Sequence, residues 1–286
     1  MYKRLGNYET GFSFVYASNN KSIHDKKLLE WFKDLHIPPA YQNVVIYSKS
    51  DDNKVLAYGF DSKGRKQYLY NPKIVEQRQK NKYKKIISLH NVFEKIMHCV
   101  SRDLLSDDTR KKEIAIIIYL IIYCGFRIGN KKYEKQNSSY GISTIKFKHV
   151  KIMENNVIIE FIGKKGVHNQ ASCNNKDIYA YLKQKKQGSK DDDNVFTSIT
   201  SKDVNEYLKQ FHESISCKDL RTWCANLMFI EYIKQEVINK SKKPVKNALE
   251  KVSNQLHNTA NVCKKSYIDP NIIQLIEEKI KNDDIK

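Results

Sequence analysis

The sequence contains no Cys-x-x-Cys pair, no glycine-rich phosphate loop, no apolar run of membrane length and a deficit of acidic residues. Each absence narrows what the chain can do. The six cysteines, Cys99, Cys124, Cys173, Cys217, Cys224 and Cys263, lack the paired Cys/His spacing of a structural zinc site. No signal peptide is read at the N-terminus, so free thiols in a reducing, intracellular compartment are expected instead of a disulfide framework. The longest apolar stretch, Ile114 to Cys124, ends at Gly125 after eleven residues, whereas roughly 20 are needed to cross a bilayer. It predicts a buried helix, and no membrane partner is expected.

Positive charge is abundant: 51 Lys+Arg stand against 32 Asp+Glu, for a formal net charge of +19. An excess of this size creates a strongly positive surface potential and points to nucleic acid. Basic runs such as Lys80-Asn81-Lys82-Tyr83-Lys84-Lys85 interleave with tyrosine and amide groups, a texture suited to phosphate contact and base stacking. Any one such run, taken alone, reads as a solvated face. Only seven of the cations are arginine, and the 44 lysines accompany heavy Asn and Ile usage. Part of the excess therefore follows an AT-rich genome, and composition alone does not fix the function. With 40% hydrophobic residues the chain can bury a sizeable core, and its 286 residues suit two folded units.

The organisation changes along the chain. Up to about Pro72, short β-prone runs such as Val44-Val45-Ile46-Tyr47 and Val55-Leu56-Ala57-Tyr58 alternate with polar clusters, which predicts a small, mostly β domain over residues 1–79. Asp61-Ser62-Lys63-Gly64 is a turn signal, and Arg65 to Tyr70 alternates as a strand does. The basic, Gln-rich and Lys-rich stretch Glu76 to Lys85 is expected to link this domain to a larger one over 80–286. Helices are expected at 86–105, 110–125, 176–187, 201–213, 218–240 and 245–256, with a three-stranded sheet between about 142 and 173. The fold class is α+β, and no internal repeat is evident.

With no metal cage and no phosphate loop in view, covalent catalysis is the remaining route for attack on a phosphodiester. It needs a nucleophile, fixed cations and an acid for the leaving oxygen. Ile37-Pro38-Pro39-Ala40, Asp61-Ser62-Lys63-Gly64-Arg65 with Gln67-Tyr68, and Gly125-Phe126-Arg127-Ile128-Gly129 running on to Tyr133 form part of an ordered series. Phe161-Ile162-Gly163-Lys164, Lys218-Asp219-Leu220-Arg221-Thr222, and Asn258-Thr259 leading to Lys265-Ser266-Tyr267 complete it. In order and spacing this series resembles the poxvirus and bacterial branch of type IB DNA topoisomerases over most of the chain.

The resemblance implies a set of roles. Tyr267 would be the nucleophile that forms a 3′-phosphotyrosyl link. Arg127 and Arg221 would grip the non-bridging oxygens of the scissile phosphate, and a pair of structural salt bridges is the plain alternative for them. Lys164 would be the general acid, although a lysine in a Gly-Lys-Lys-Gly turn read on spacing alone is a solvated loop residue, and Lys165 is its neighbour-alternative. Asn258 would be the fourth phosphate contact, in preference to His257, which would be a surface histidine at a helix end. Gln67, Tyr68, Tyr70, Lys131, Tyr133 and Lys218 would contact DNA, while half-buried sheet packing is equally open for each tyrosine.

The enzyme so implied relaxes supercoiled duplex DNA without cofactor, metal or ATP, as a monomeric two-domain clamp. A tyrosine recombinase uses a similar site but usually carries His-x-x-Arg where this chain has Lys218-x-x-Arg221, and it binds DNA with a helical N-terminal domain. A non-catalytic basic DNA-binding protein would account for the charge and leave the ordered Arg, Lys, Arg and Tyr unexplained.

Overall fold

Alternation of apolar and polar residues over the first 70 positions builds a single sheet. In the computed structural model, which describes residues 1–50, 53–131, 134, 136 and 138–282, its strands are β1 (Tyr2–Asn7), β2 (Gly11–Tyr16), β3 (Gln42–Ile46), β4 (Val55–Phe60) and β5 (Lys66–Tyr70). The order is β2-β1-β3-β4-β5, and every neighbouring pair is antiparallel. Helix α1 (Lys26–Asp34) contributes Phe32 to a core that also holds Ile23, Leu35, Val44, Ile46 and Ala57. Helix α1 is an addition to the elements expected from the sequence. The helix has only nine residues, and it is stabilised by Asp25, whose carboxylate accepts from Leu28 N at 3.1 Å, and by burial of Phe32 against the sheet.

The turn after β4 forms as its residues dictate. Asp61 Oδ1 accepts from the backbone N–H of Lys63 and of Arg65, both at 3.0 Å, and closes the loop. Its other oxygen accepts from Arg65 Nε at 2.8 Å and from Gln67 Nε2 at 2.9 Å. The stretch expected to be a link is instead the middle of a helix, α2 (Pro72–Ser88), opened by the fixed φ of proline. The chain divides into two compact units at this helix, Met1–Lys82 and Tyr83–Lys286.

The second unit is mainly helical. Helix α3 (His90–Asp103) precedes α4 (Thr109–Tyr123), in which nine residues from Glu113 to Ile122 are buried. Asp108 caps α4, accepting from Arg110 N at 2.9 Å. Glu113 is the one charge buried within that run, and it is satisfied by Lys185 and by the Tyr181 hydroxyl, the latter at 2.7 Å. Three antiparallel strands follow, β6 (Val150–Ile152), β7 (Val157–Ile162) and β8 (His168–Cys173), in the order β6-β7-β8.

The remaining helices are α5 (Lys176–Lys186), α6 (Ser201–Lys209), α7 (Cys217–Ile238), α8 (Pro244–Gln255), α9 (Ala260–Ser266) and α10 (Pro270–Lys281). Two apolar cores meet along α7: Leu220 and Cys224 belong to the one around α4, and Ala225, Phe229 and Ile233 to the one shared with α8, α9 and α10. Helix α10 was also missed in the sequence, although Asp269 and Pro270 are a strong start signal and Asp269 accepts from Asn271 N at 2.9 Å. No described helix is long and apolar enough to cross a membrane.

Candidate active site

The site is built where the buried helix α4 ends. Gly125 takes φ +65°, and a Cβ there would lie 2.1 Å from the carbonyl oxygen of Gln255, so only glycine allows α4 to turn against the end of α8. The Gly125 carbonyl accepts from Arg221 Nε at 2.9 Å. Two residues further on, the backbone of Arg127 is pinned: its carbonyl accepts from Ile142 N at 2.8 Å, and the next carbonyl, that of Ile128, accepts from Ser143 N at 2.7 Å.

Arg221 lies in the first turns of α7, only 3% exposed, and all three of its nitrogen positions are engaged. Nε binds the Gly125 carbonyl, Nη2 binds the Leu256 carbonyl at 2.5 Å, and Nη1 donates to the Tyr267 hydroxyl at 2.5 Å. Its Cζ stands 4.8 Å from the centroid of the Tyr267 ring. Burial pushes the guanidinium pKa down to about 10, which leaves it charged at neutral pH. Arg127 Nη2 donates to Asn258 Oδ1 at 2.6 Å, while its Nη1 is buried with no hydrogen-bond partner among the described residues. Neither arginine is ion-paired among the described residues.

Tyr267 terminates α9 and is 8% exposed. Its backbone is clamped by Asn226 of α7. Asn226 Nδ2 donates to the Tyr267 carbonyl at 2.8 Å, and Asn226 Oδ1 accepts from Asp269 N at 2.9 Å. Asn226 is not among the residues expected at the site; its signal in the sequence is a polar amide on the apolar face of α7, one turn beyond Thr222. Asn258 Nδ2 donates to the Leu256 carbonyl at 3.0 Å and keeps a second amide hydrogen.

His257 is not the surface residue expected of it. At φ +50° the chain turns left-handed, and the ring stacks on Phe126 with centroids 5.2 Å apart and lies 2.9 Å from the Cys124 carbonyl. Burial holds its pKa below the ordinary value. Four residues named from sequence, Arg127, Arg221, Asn258 and Tyr267, are thus joined in two contacting pairs whose members are 131 and 46 positions apart.

Among the described residues of the second unit, the other named side chains make no hydrogen bond to these four. Lys164 and Lys165 are exposed at the β7–β8 hairpin tip, and Lys165 adopts φ 65°. Lys218 is exposed on the first turn of α7, and Lys131 is exposed as well. Tyr133 lies outside the described residues. In the first unit, Tyr68 and Tyr70 share one face of β5, 48% and 39% exposed, with Lys66 Nζ 5.3 Å from the centroid of the Tyr68 ring and Arg78 Cζ 5.0 Å from that of Tyr70. Gln67 points to the opposite face and is bound to Asp61. Among the described residues, no group of three or more His, Cys, Asp or Glu side chains is arranged to hold a metal ion.

The profile of the family described as eukaryotic DNA topoisomerase I, catalytic core, matches residues 71–285. The chain belongs to this family. It is 29% identical over 300 residues to DNA topoisomerase 1B of Acanthamoeba polyphaga mimivirus, across 96% of this chain and 88% of that protein. It is 25% identical over 270 residues to DNA topoisomerase 1B of Vaccinia virus (strain Copenhagen), across 91% of this chain and 85% of the viral one. DNA topoisomerase 1 of Daucus carota is 25% identical over 167 residues, only 21% of its own length. The enzyme is a type IB topoisomerase of the poxvirus branch. The family profile begins at residue 71, so it covers α2 and the second unit, while the viral relatives also align with the first.

Proposed function

We propose that the enzyme relaxes supercoiled DNA by cutting one strand through Tyr267, letting it rotate and resealing it. In this reading the Tyr267 oxygen attacks the scissile phosphorus, and the bond to the 5′ oxygen breaks. The phenol loses its proton to solvent as the new ester forms, and the departing 5′ oxygen takes one from Lys164, which is reprotonated from solvent. The 3′ end is left as a phosphotyrosyl ester with a free 5′ hydroxyl. One phosphodiester has been exchanged for another, so the bond energy is retained and the reverse attack needs no ATP.

The observation that carries the reading is the buried hydrogen bond from Arg221 Nη1 to the Tyr267 hydroxyl, beside Arg127, whose Nη1 has no partner among the described residues. A phenol has an ordinary pKa near 10 and must be activated by nearby positive charge. A phosphate arriving between Arg127 and Arg221 would satisfy the orphan donor and meet two fixed cations where negative charge grows in the transition state. Asn258 adds a neutral amide donor, and a role of that kind requires no titration. The hairpin bearing Lys164 would reach over the bound phosphate, with Lys165 as its alternative.

For duplex binding the reading assigns Tyr68 and Tyr70, flanked by Lys66 and Arg78, together with Gln67, Lys131, Tyr133 and Lys218, to contacts with backbone and groove. Residues 1–79 then serve as the DNA-clamp domain and 80–286 as the catalytic domain of a monomer. The test is relaxation of supercoiled plasmid in EDTA without nucleotide. The native chain is expected to relax supercoils of either sign and Tyr267→Phe to relax none; relaxation by Tyr267→Phe would remove the nucleophile assignment.

A further inference from the structure

The C-terminal turns of α2 reach both halves of the Arg221–Tyr267 pair. Tyr83, 7% exposed, donates its hydroxyl to the Ile268 carbonyl at 2.6 Å, and Ile268 directly follows Tyr267. Lys85 Nζ donates to Asp219 Oδ2 at 2.6 Å, and Asp219 stands two residues before Arg221 in the first turn of α7. The same Asp219 oxygen accepts from Ser216 N at 3.0 Å and from Ser216 Oγ at 2.5 Å, which closes the cap of α7.

These contacts complete two sets of fixings. The three residues Tyr267, Ile268 and Asp269 present a carbonyl, a carbonyl and an N–H that are held by Asn226, Tyr83 and Asn226 in turn. On the other side, the helix start that carries Arg221 is tied by Lys85 through a buried carboxylate.

We propose that Tyr83 and Lys85 are positioning residues for strand cleavage, holding the nucleophile and Arg221 in register from a single helix end. The proposal rests on the assignment of Tyr267 and Arg221 given above. The pair that must stay in register comes from two different elements, the end of α9 and the first turns of α7, and α2 is a third element bonded beside each. A displacement of about 1 Å at a reacting group costs on the order of a hundredfold in rate, so a backbone tether one residue from the nucleophile acts on the chemical step. Burial pushes the Tyr83 phenol up to about 12, so its hydroxyl keeps the donated proton throughout the pH range of an assay.

The test uses the full chain, enzyme in excess over labelled linear duplex, and denaturant trapping of the covalent adduct in a single turnover. Non-covalent DNA affinity is measured for the same substitutions in a Tyr267→Phe background. Tyr83→Phe is expected to slow adduct formation by about tenfold with DNA affinity unchanged, and by the same factor from pH 6 to 9. Lys85→Gln at the partly exposed end of its ion pair is expected to do likewise, with Lys85→Arg restoring most of the rate. It also decides the matter should Tyr83→Phe melt without a cooperative transition.

Native cleavage rates in both Tyr83→Phe and Lys85→Gln, or losses confined to DNA affinity, would overturn the proposal while leaving Tyr267 as nucleophile. Absence of any adduct from the native chain would remove the reading of Tyr267 itself, and this proposal with it.

Discussion

At Arg221 the fork geometry matters as much as the charge. Its three nitrogens bind the Gly125 carbonyl, the Leu256 carbonyl and the Tyr267 hydroxyl, so the guanidinium has one orientation available to it. A lysine there would bring the charge without the fork and leave buried carbonyls unpaired. Arg221→Lys is therefore expected to slow single-turnover adduct formation by roughly 10²–10³-fold. A near-native rate would mean that charge alone suffices. A second comparison separates the hairpin lysines: Lys164→Ala is expected to lose about 10²–10⁴-fold in cleavage rate while Lys165→Ala stays close to native. A reversed outcome transfers the acid to Lys165.

The residues of the central cluster were legible because Arg127, Arg221, Asn258 and Tyr267 each sit in a local motif of recognisable order. Asn226, Tyr83 and Lys85 were not. They act by binding backbone groups or a carboxylate far away in the chain, up to 185 positions for Tyr83, and such contacts leave no spacing to read. His257 was misread for a related reason, since a positive φ turned inward a side chain that its place at a helix end put outside.

Among the elements, α4 was the clearest in sequence, because an unbroken apolar run of that length has no surface-exposed solution. Helices α1 and α9 are short, and helices of that length depend on caps and tertiary burial for their stability. Helix α2 illustrates the opposite case. Its basic middle reads as a link, but Pro72 sets its start and the burial of Tyr83 and Ile86 holds its end.

The joint between α4 and the site supplies a prediction at this scale. Gly125→Ala is expected to cost at least about 1 kcal/mol from the left-handed backbone alone. Further loss should follow as the new Cβ displaces the Gln255 carbonyl that lies 2.1 Å away. Because Gly125 also anchors Arg221, thermal melting and adduct formation should fall together. A variant with native Tm and native cleavage would show that the turn tolerates a side chain.

For the molecule as a whole, pH acts through half-buried histidines. Burial, then the nearby charges of Lys148 and Lys146, lowers the His149 pKa to about 4, and burial lowers that of His257 too. His149 therefore stays neutral in the folded enzyme down to about pH 4, whereas the unfolded chain protonates it near pH 6.5. The contribution of His149 to stability is therefore complete above about pH 6.5 and is lost as pH falls from there toward 4. Between pH 7 and 5, Tm is expected to drop by roughly 2–5 °C, with a smaller drop in His149→Gln. Equal drops in the two proteins would show that His149 does not titrate on unfolding. The net charge of +19 predicts, in addition, that DNA affinity measured with Tyr267→Phe falls steeply with salt.

The measurement that bears most directly on the whole account is peptide mapping of enzyme denatured in mid-reaction on DNA. The expected product is a nucleotide 3′-phosphate esterified to the peptide containing Tyr267. DNA attached to any other side chain, or to none, would contradict the account.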